Sequence, residues 1–189
     1  MIRASVLALA GSILAAGGAL AGPADDALFG PGSGTDRALA CFVRHYDAAH
    51  LASHPQQNVT DMLVLVDRPA PVEGDVWYTL ALGVNFRNVA AQMQVSGGCG
   101  AMDDGTKLLG CGVDCDGGQI DVRPRDANSV LVDIPFGART YNPSSDAEDP
   151  PEAAFGEDDK LFRLDRADLN QCLSLVYDDE LKAKIAAVR

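Results

Sequence analysis

The sequence predicts a mainly β domain, an antiparallel sandwich or barrel with one or two short helices, stabilised by disulfides. Three observations lead there. Short runs with apolar alternation recur through the middle of the chain, and turn residues separate them. Five cysteines (Cys41, Cys99, Cys111, Cys115 and Cys172) all lie behind a stretch that reads as an export signal.

The chain opens Met1-Ile2-Arg3 and runs apolar from Ala4 to Leu20, with Ala19-Leu20-Ala21 ahead of Gly22-Pro23. A charged start, a short apolar run and an A-x-A site, in that order, specify a signal peptide over 1–21. Gly17-Gly18 breaks the run, which argues against a membrane span, so no stable membrane insertion is expected after signal removal. Gly22 stands where a lipoprotein would carry its modified cysteine. The expected location is periplasmic or secreted, where disulfides persist.

Removing 21 of the 189 residues leaves 168, enough for one domain with its own core. The formal charge moves from −12 to −13 as Arg3 leaves. Such a chain repels nucleic acid and anionic lipid. The expected partner is therefore an unknown protein or a small ligand, with no nucleic acid.

Residues 22–38, rich in Gly, Pro, Ala and Asp, read as a flexible leader. A single β-rich domain is expected over 39–176. Asp47 to Ser53 suits a short helix ending before Pro55. Met62-Leu-Val-Leu-Val66 is apolar on both faces, as a central strand would be. Tyr78, Leu80, Leu82, Val84 and Phe86 alternate with Trp77, Thr79, Ala81, Gly83 and Asn85, the clearest strand in the chain. Ala91, Met93 and Val95 alternate in the same way, and Asn88 between the two runs suggests a hairpin. Segments 107–113 and 159–164 read as weaker strands. Ile120 and Val122, then Val130, Val132 and Ile134, form another pair, turned by Asp126-Ala-Asn128. The stretch 142–158 carries three prolines among acidic residues and has no period, so a long mobile loop is expected. Asp165 could cap a helix that places Leu169 and Leu173 on one face. The tail 177–189 puts acids before bases, an order that complements a helix dipole.

Cys99 and Cys111 are symmetric about Gly105, and Asp104-Gly105 is a strong turn dipeptide. A hairpin there would bring the two sulfurs opposite each other. Cys115 competes for the same partner, so several pairings remain open. The expected pattern is one bridge within 99–115 and one between Cys41 and Cys172, each contributing on the order of 2–4 kcal/mol. The fifth cysteine is expected to be a buried, inert thiol. A redox site would carry Cys-x-x-Cys, and here the spacing is Cys-x-x-x-Cys.

All three histidines fall in His45-Tyr-Asp-Ala-Ala-His50-Leu-Ala-Ser-His54. On a helix His50 and His54 share a face, and with His45 they could hold zinc or copper. Leu51 stands where a zinc protease motif requires Glu. Asp114-Cys-Asp116-Gly117-Gly118 resembles part of a calcium loop but lacks the closing Glu, and its glycines suit a turn into the Ile120 strand. No Gly-x-Ser-x-Gly elbow is present. A thiol–imidazole pair such as Cys115 with His50 would need the fold to assemble it. Asn58-Val-Thr60 is a formal glycosylation sequon.

The segments His50-Leu-Ala-Ser-His54-Pro55 and Cys111-Gly-Val-Asp-Cys115-Asp-Gly-Gly118 resemble those of uncharacterised exported bacterial proteins, and this resemblance implies no activity. The function expected from the residues is an exported, non-enzymatic binding or structural module. A periplasmic metal-binding protein using His45, His50 and His54 is the second expectation. A thiol-dependent enzyme using the unpaired cysteine is the third.

Overall fold

The computed structural model describes residues 23–34, 36–102 and 106–187. The signal expected over 1–21 and the Asp104-Gly105 turn lie outside them. Eight strands follow one another: β1 (Ala38–His45), β2 (Val59–Arg68), β3 (Tyr78–Phe86), β4 (Met93–Ala101), β5 (Leu109–Val113), β6 (Gln119–Asp126), β7 (Ser129–Asp133) and β8 (Leu161–Ala167). Each pairs antiparallel with its neighbour in chain order, and β8 returns to β1, so the architecture is a closed barrel and not a sandwich. The closing seam is short: Cys41 faces Ala167, Phe42 faces Arg166 and Val43 faces Asp165.

Alternation sets which side chains point inward. Phe42, Met62, Val64, Leu80, Leu82, Met93, Leu109, Ile120, Phe162 and Leu164 are fully buried. Eight strands enclose an interior just wide enough for side chains to fill, and here they fill it. The Asn88 hairpin joins β3 to β4, with Leu82 opposite Val95 and Val84 opposite Met93. The β6–β7 turn forms where expected, with the Asn128 N–H donating to the Asp126 carboxylate at 2.9 Å.

Both ends are covered. Within the span read as a leader, α1 (Pro23–Phe29) sits across one end, and its Leu28 is fully buried. Two arginines from the barrel hold it. Arg166 donates to the carbonyls of Leu28 and Ala27 at 2.7 and 2.9 Å, satisfying groups that a helix C-terminus leaves open. Arg68 pairs with Asp25 at 2.9 Å, both buried, and also donates to the carbonyls of Gly34 and Asp36. Tyr78 donates its hydroxyl to Asp25 at 3.1 Å. Burial, then the nearby Asp25 charge, push the Tyr78 phenol up to about 12.

At the opposite end the far half of the 142–158 stretch packs onto the core. Phe155 meets Phe86 and Phe162 edge-on at 5.6 and 6.2 Å. Asp159, fully buried, accepts from the N–H groups of Asn58 at 2.8 Å, Val59 at 3.2 Å and Gly156 at 2.7 Å. Gly156 is required there, because a Cβ would lie 2.0 Å from the Gln56 carbonyl oxygen.

A second apolar cluster lies outside the barrel. A 3-10 segment, Leu169–Leu175, covers the outer face of β1 to β3, and α3 (Asp179–Ala187) packs on that segment. Leu65, Leu175, Val176 and Ile185 are buried between them, and the Cys41–Cys172 disulfide staples the layer. The helix expected from Asp165 begins later. Asp165 belongs to β8, because the closing seam uses it, and Asp168 caps the 3-10 segment through the Asn170 N–H at 2.8 Å.

Candidate functional site

The structure stacks His50 on His54 and gives His45 a different partner. His45 ends β1, and its Nδ1 meets the Asp61 carboxylate across the strand pair. Burial pushes the Asp61 carboxyl up, but hydrogen bonds from His45, Thr60 and Asn85 outweigh it and hold it below its usual value. His50 lies on α2 (Ala48–Ser53) and His54 at its C-cap, with Asp47 as N-cap. Their rings stack 4.1 Å apart at 16°, and His50 also stacks on Tyr46 at 4.6 Å. His50 Nε2 meets Gln57 Oε1 at 3.0 Å, and His54 Nδ1 donates to the His50 carbonyl at 3.0 Å. Near-parallel stacked rings point their in-plane lone pairs side by side instead of converging on one ion, as a tetrahedral site requires. Among the described residues no three His, Cys, Asp or Glu side chains are grouped to hold a metal ion.

The sequon residue is occupied too. Asn58 Nδ2, the atom a glycan would modify, donates to the carbonyls of Glu152 and Ala154 at 2.7 and 2.8 Å. Asn58 therefore pins the acidic loop to the barrel end.

Cys99 and Cys111 are directly opposed on β4 and β5 and form the second disulfide. Cys115 is free and exposed, which corrects the expectation of a buried thiol. It sits in the 3-10 turn Asp114–Asp116 between β5 and β6, with φ of 56° at Cys115 and 57° at Asp116. Its cleft, about 330 Å³, is lined by Ser96, Val113, Asp114, Arg139, Thr140 and Tyr141. That lining holds no histidine, so the thiol–imidazole pair is not assembled there. Gly118, at φ +114°, turns the chain into β6, as its glycine suggested.

A groove of about 620 Å³ runs along the outside of the barrel beside this turn. Thr79, Ala81, Ser96, Gly97 and Gly98 line it on the strand side, and Leu175, Val176, Tyr177 and Leu181 on the side of the C-terminal segment. The floor is low because small residues point outward on β3 and β4. Beside the groove, on the β4–β5 pair, Gly98 faces Gly112 and Gly100 faces Gly110. A Cβ at Gly98, Gly100 or Gly112 would meet nothing within 4 Å, so packing within the chain does not require glycine at these sites. Glycine inside a strand costs about 0.5–1 kcal/mol, and it marks places where a ligand or another backbone comes close.

The groove wall is fixed. Gln94 is buried, donates to the Ser174 carbonyl at 3.2 Å, and its Oε1 accepts from the Tyr177 hydroxyl. Tyr141 and Tyr177 share a hydroxyl contact at 2.6 Å, while the Tyr177 side remains 63% exposed. Burial of the phenol oxygen, then the Tyr141 bond, raise the Tyr177 pKa. Arg37 donates to both oxygens of Asp67 at 3.0 and 2.6 Å, which closes one side of the groove.

The sequence signal for this face was present in Gly98-Cys99-Gly100 and Gly110-Cys111-Gly112, which mirror each other about Gly105. The cysteines were read from that symmetry and the glycines were not. Comparison with protein-family models, curated proteins and solved structures finds no match to this chain.

Proposed function

We propose that this protein is an exported, non-enzymatic binding module that takes its ligand on the outside of the barrel. The observation that carries the reading is the groove between β3–β4 and the C-terminal segment. Its volume falls in the range of small-molecule and short-peptide sites. The interior offers no competing place, because side chains fill it and α1 and the 142–158 stretch cover its ends. The Cys41–Cys172 bridge and the Gln94–Tyr177 contact support the reading, since a wall held in place loses little entropy on binding. The one free thiol lies in a cleft whose lining holds no histidine, which favours a binding role over thiol–imidazole catalysis.

The test is a ligand-observed NMR screen of pooled amino acids, short peptides, sugars and amines, run on the oxidised protein and on Gly98→Phe. Gly98 is exposed and open on its Cβ side, so the ring fills the groove without displacing core atoms. Hits that bind the native protein and not the variant support the reading. Hits that bind both equally exclude the groove.

A further inference from the structure

We infer that the groove takes an aliphatic organic cation, the chemistry shared by a lysine or arginine side chain and a polyamine. This inference depends on the groove being the binding site. Three carboxylates, Asp67, Asp114 and Asp178, line it against one guanidinium, Arg37. Arg37 is already engaged, because Asp67 takes two of its N–H groups. Asp114 accepts only the Ser96 hydroxyl, at 3.0 Å, and has no ion pair among the described residues. Asp178 stands 3.8 Å from Arg37 and accepts the Leu181 N–H at 3.0 Å, which holds its carboxyl below the usual range. Asp114 is thus left without an ion pair among the described residues, and although Arg37 and Lys184 lie near Asp178, three carboxylates outnumber the one guanidinium on the groove.

Between them lies apolar surface. Half-buried Ala81 and Leu181, with the edges of the buried Leu65, Leu175 and Val176, would cover methylene groups, which long basic side chains bury while their charged ends stay solvated. The Tyr177 ring is exposed, and its hydroxyl is tied to Gln94 and Tyr141. A fixed aromatic face beside carboxylates attracts a cation through its quadrupole. The low floor at Gly97 and Gly98 lets an alkyl chain lie close to the sheet. The overall charge of −12 raises the local concentration of cations in the same direction.

The experiment titrates the oxidised protein with three probes: spermidine, N-acetyl-lysine methylamide and N-acetyl-norleucine methylamide. The last keeps an alkyl chain and lacks the ammonium. Isothermal calorimetry gives affinity, and the double variant Asp114→Asn/Asp178→Asn reports the carboxylates. Asn at 178 keeps an acceptor for the Leu181 N–H, so α3 stays capped. The expected result is saturable binding of both cations, weakened at least tenfold in the double variant and falling with salt toward about 0.3 M. The tighter of the two identifies the source. Equal binding of the norleucine probe overturns the cation and leaves the groove in place. Failure of both cations while other ligands in the pooled screen still depend on Gly98 also overturns the cation alone. If no ligand depends on Gly98, the groove falls with it.

Discussion

Removing the Cys41–Cys172 bridge should cost more stability than removing Cys99–Cys111, and the difference can be worked from the chain. The bridges span 131 and 12 residues of sequence. Loop-closure entropy gives about 5 kcal/mol for the long loop and about 3 kcal/mol for the short one at 25 °C. Cys41→Ala/Cys172→Ala and Cys99→Ala/Cys111→Ala each delete two buried sulfurs, so the cavity terms partly cancel in the comparison. Urea unfolding of both variants and the native protein measures the difference. The long-loop variant should be less stable than the short-loop one by about 2 kcal/mol. Hydrogen exchange adds a second readout, since of the two bridges only the long one reaches the C-terminal layer. Amides of 169–187 should lose protection first in that variant while β4 to β6 keep theirs. A short-loop variant as damaged as the long-loop one, or unchanged exchange over 169–187, would refute the reasoning.

Three further outcomes follow from buried and exposed groups. The folded state holds the Tyr78 proton up to about 12, whereas an unfolded tyrosine releases it near 10, so Tyr78 contributes stability fully below about pH 10 and loses it as pH rises through about 12. Tyr78→Phe should flatten that part of the stability–pH curve from thermal melts. Asp159→Ala should destabilise by about 2–4 kcal/mol in urea, because the N–H groups of Asn58, Val59 and Gly156 lose a charged acceptor at once. Thiol titration of the folded, oxidised protein should count one accessible sulfur without denaturant, and Cys115→Ser should abolish it.

Much of the barrel could be read from alternation, because a half-buried strand must place its apolar residues every second position. Tyr78 to Phe86 and the Val130 pair show this directly. The mirror symmetry about Gly105 also placed Cys99 opposite Cys111. Closure was not legible. It depends on Phe42 meeting Arg166 across 124 residues of sequence, and no local pattern distinguishes that seam from a sandwich edge. The role of α1 was hidden for a similar reason. Pro23 to Phe29 is short and weakly apolar, and it is ordered by Arg68 and Arg166 from distant strands. The Asp165 helix signal was real locally, but pairing with β1 outweighed it. The histidine spacing did place His50 and His54 on one face, and stacking decided what they do there. The groove was invisible as a site because its floor is built from small residues, Thr79, Ala81, Ser96, Gly97 and Gly98, whose meaning appears only when strands lie side by side.

The measurement that tests the central claim most directly is a map of backbone amide shifts as the tightest hit from the pooled screen is titrated into the oxidised protein. The account predicts shifts confined to Thr79–Ala81, Ser96–Gly98 and Leu175–Asp178. It also predicts their loss in Gly98→Phe, whose unfolding free energy should stay equal or rise by about 0.5–1 kcal/mol, since a strand-favouring residue replaces glycine. Shifts centred on another face, such as the cleft beside Phe136 and Phe155, or shifts that persist in a folded Gly98→Phe, would contradict it.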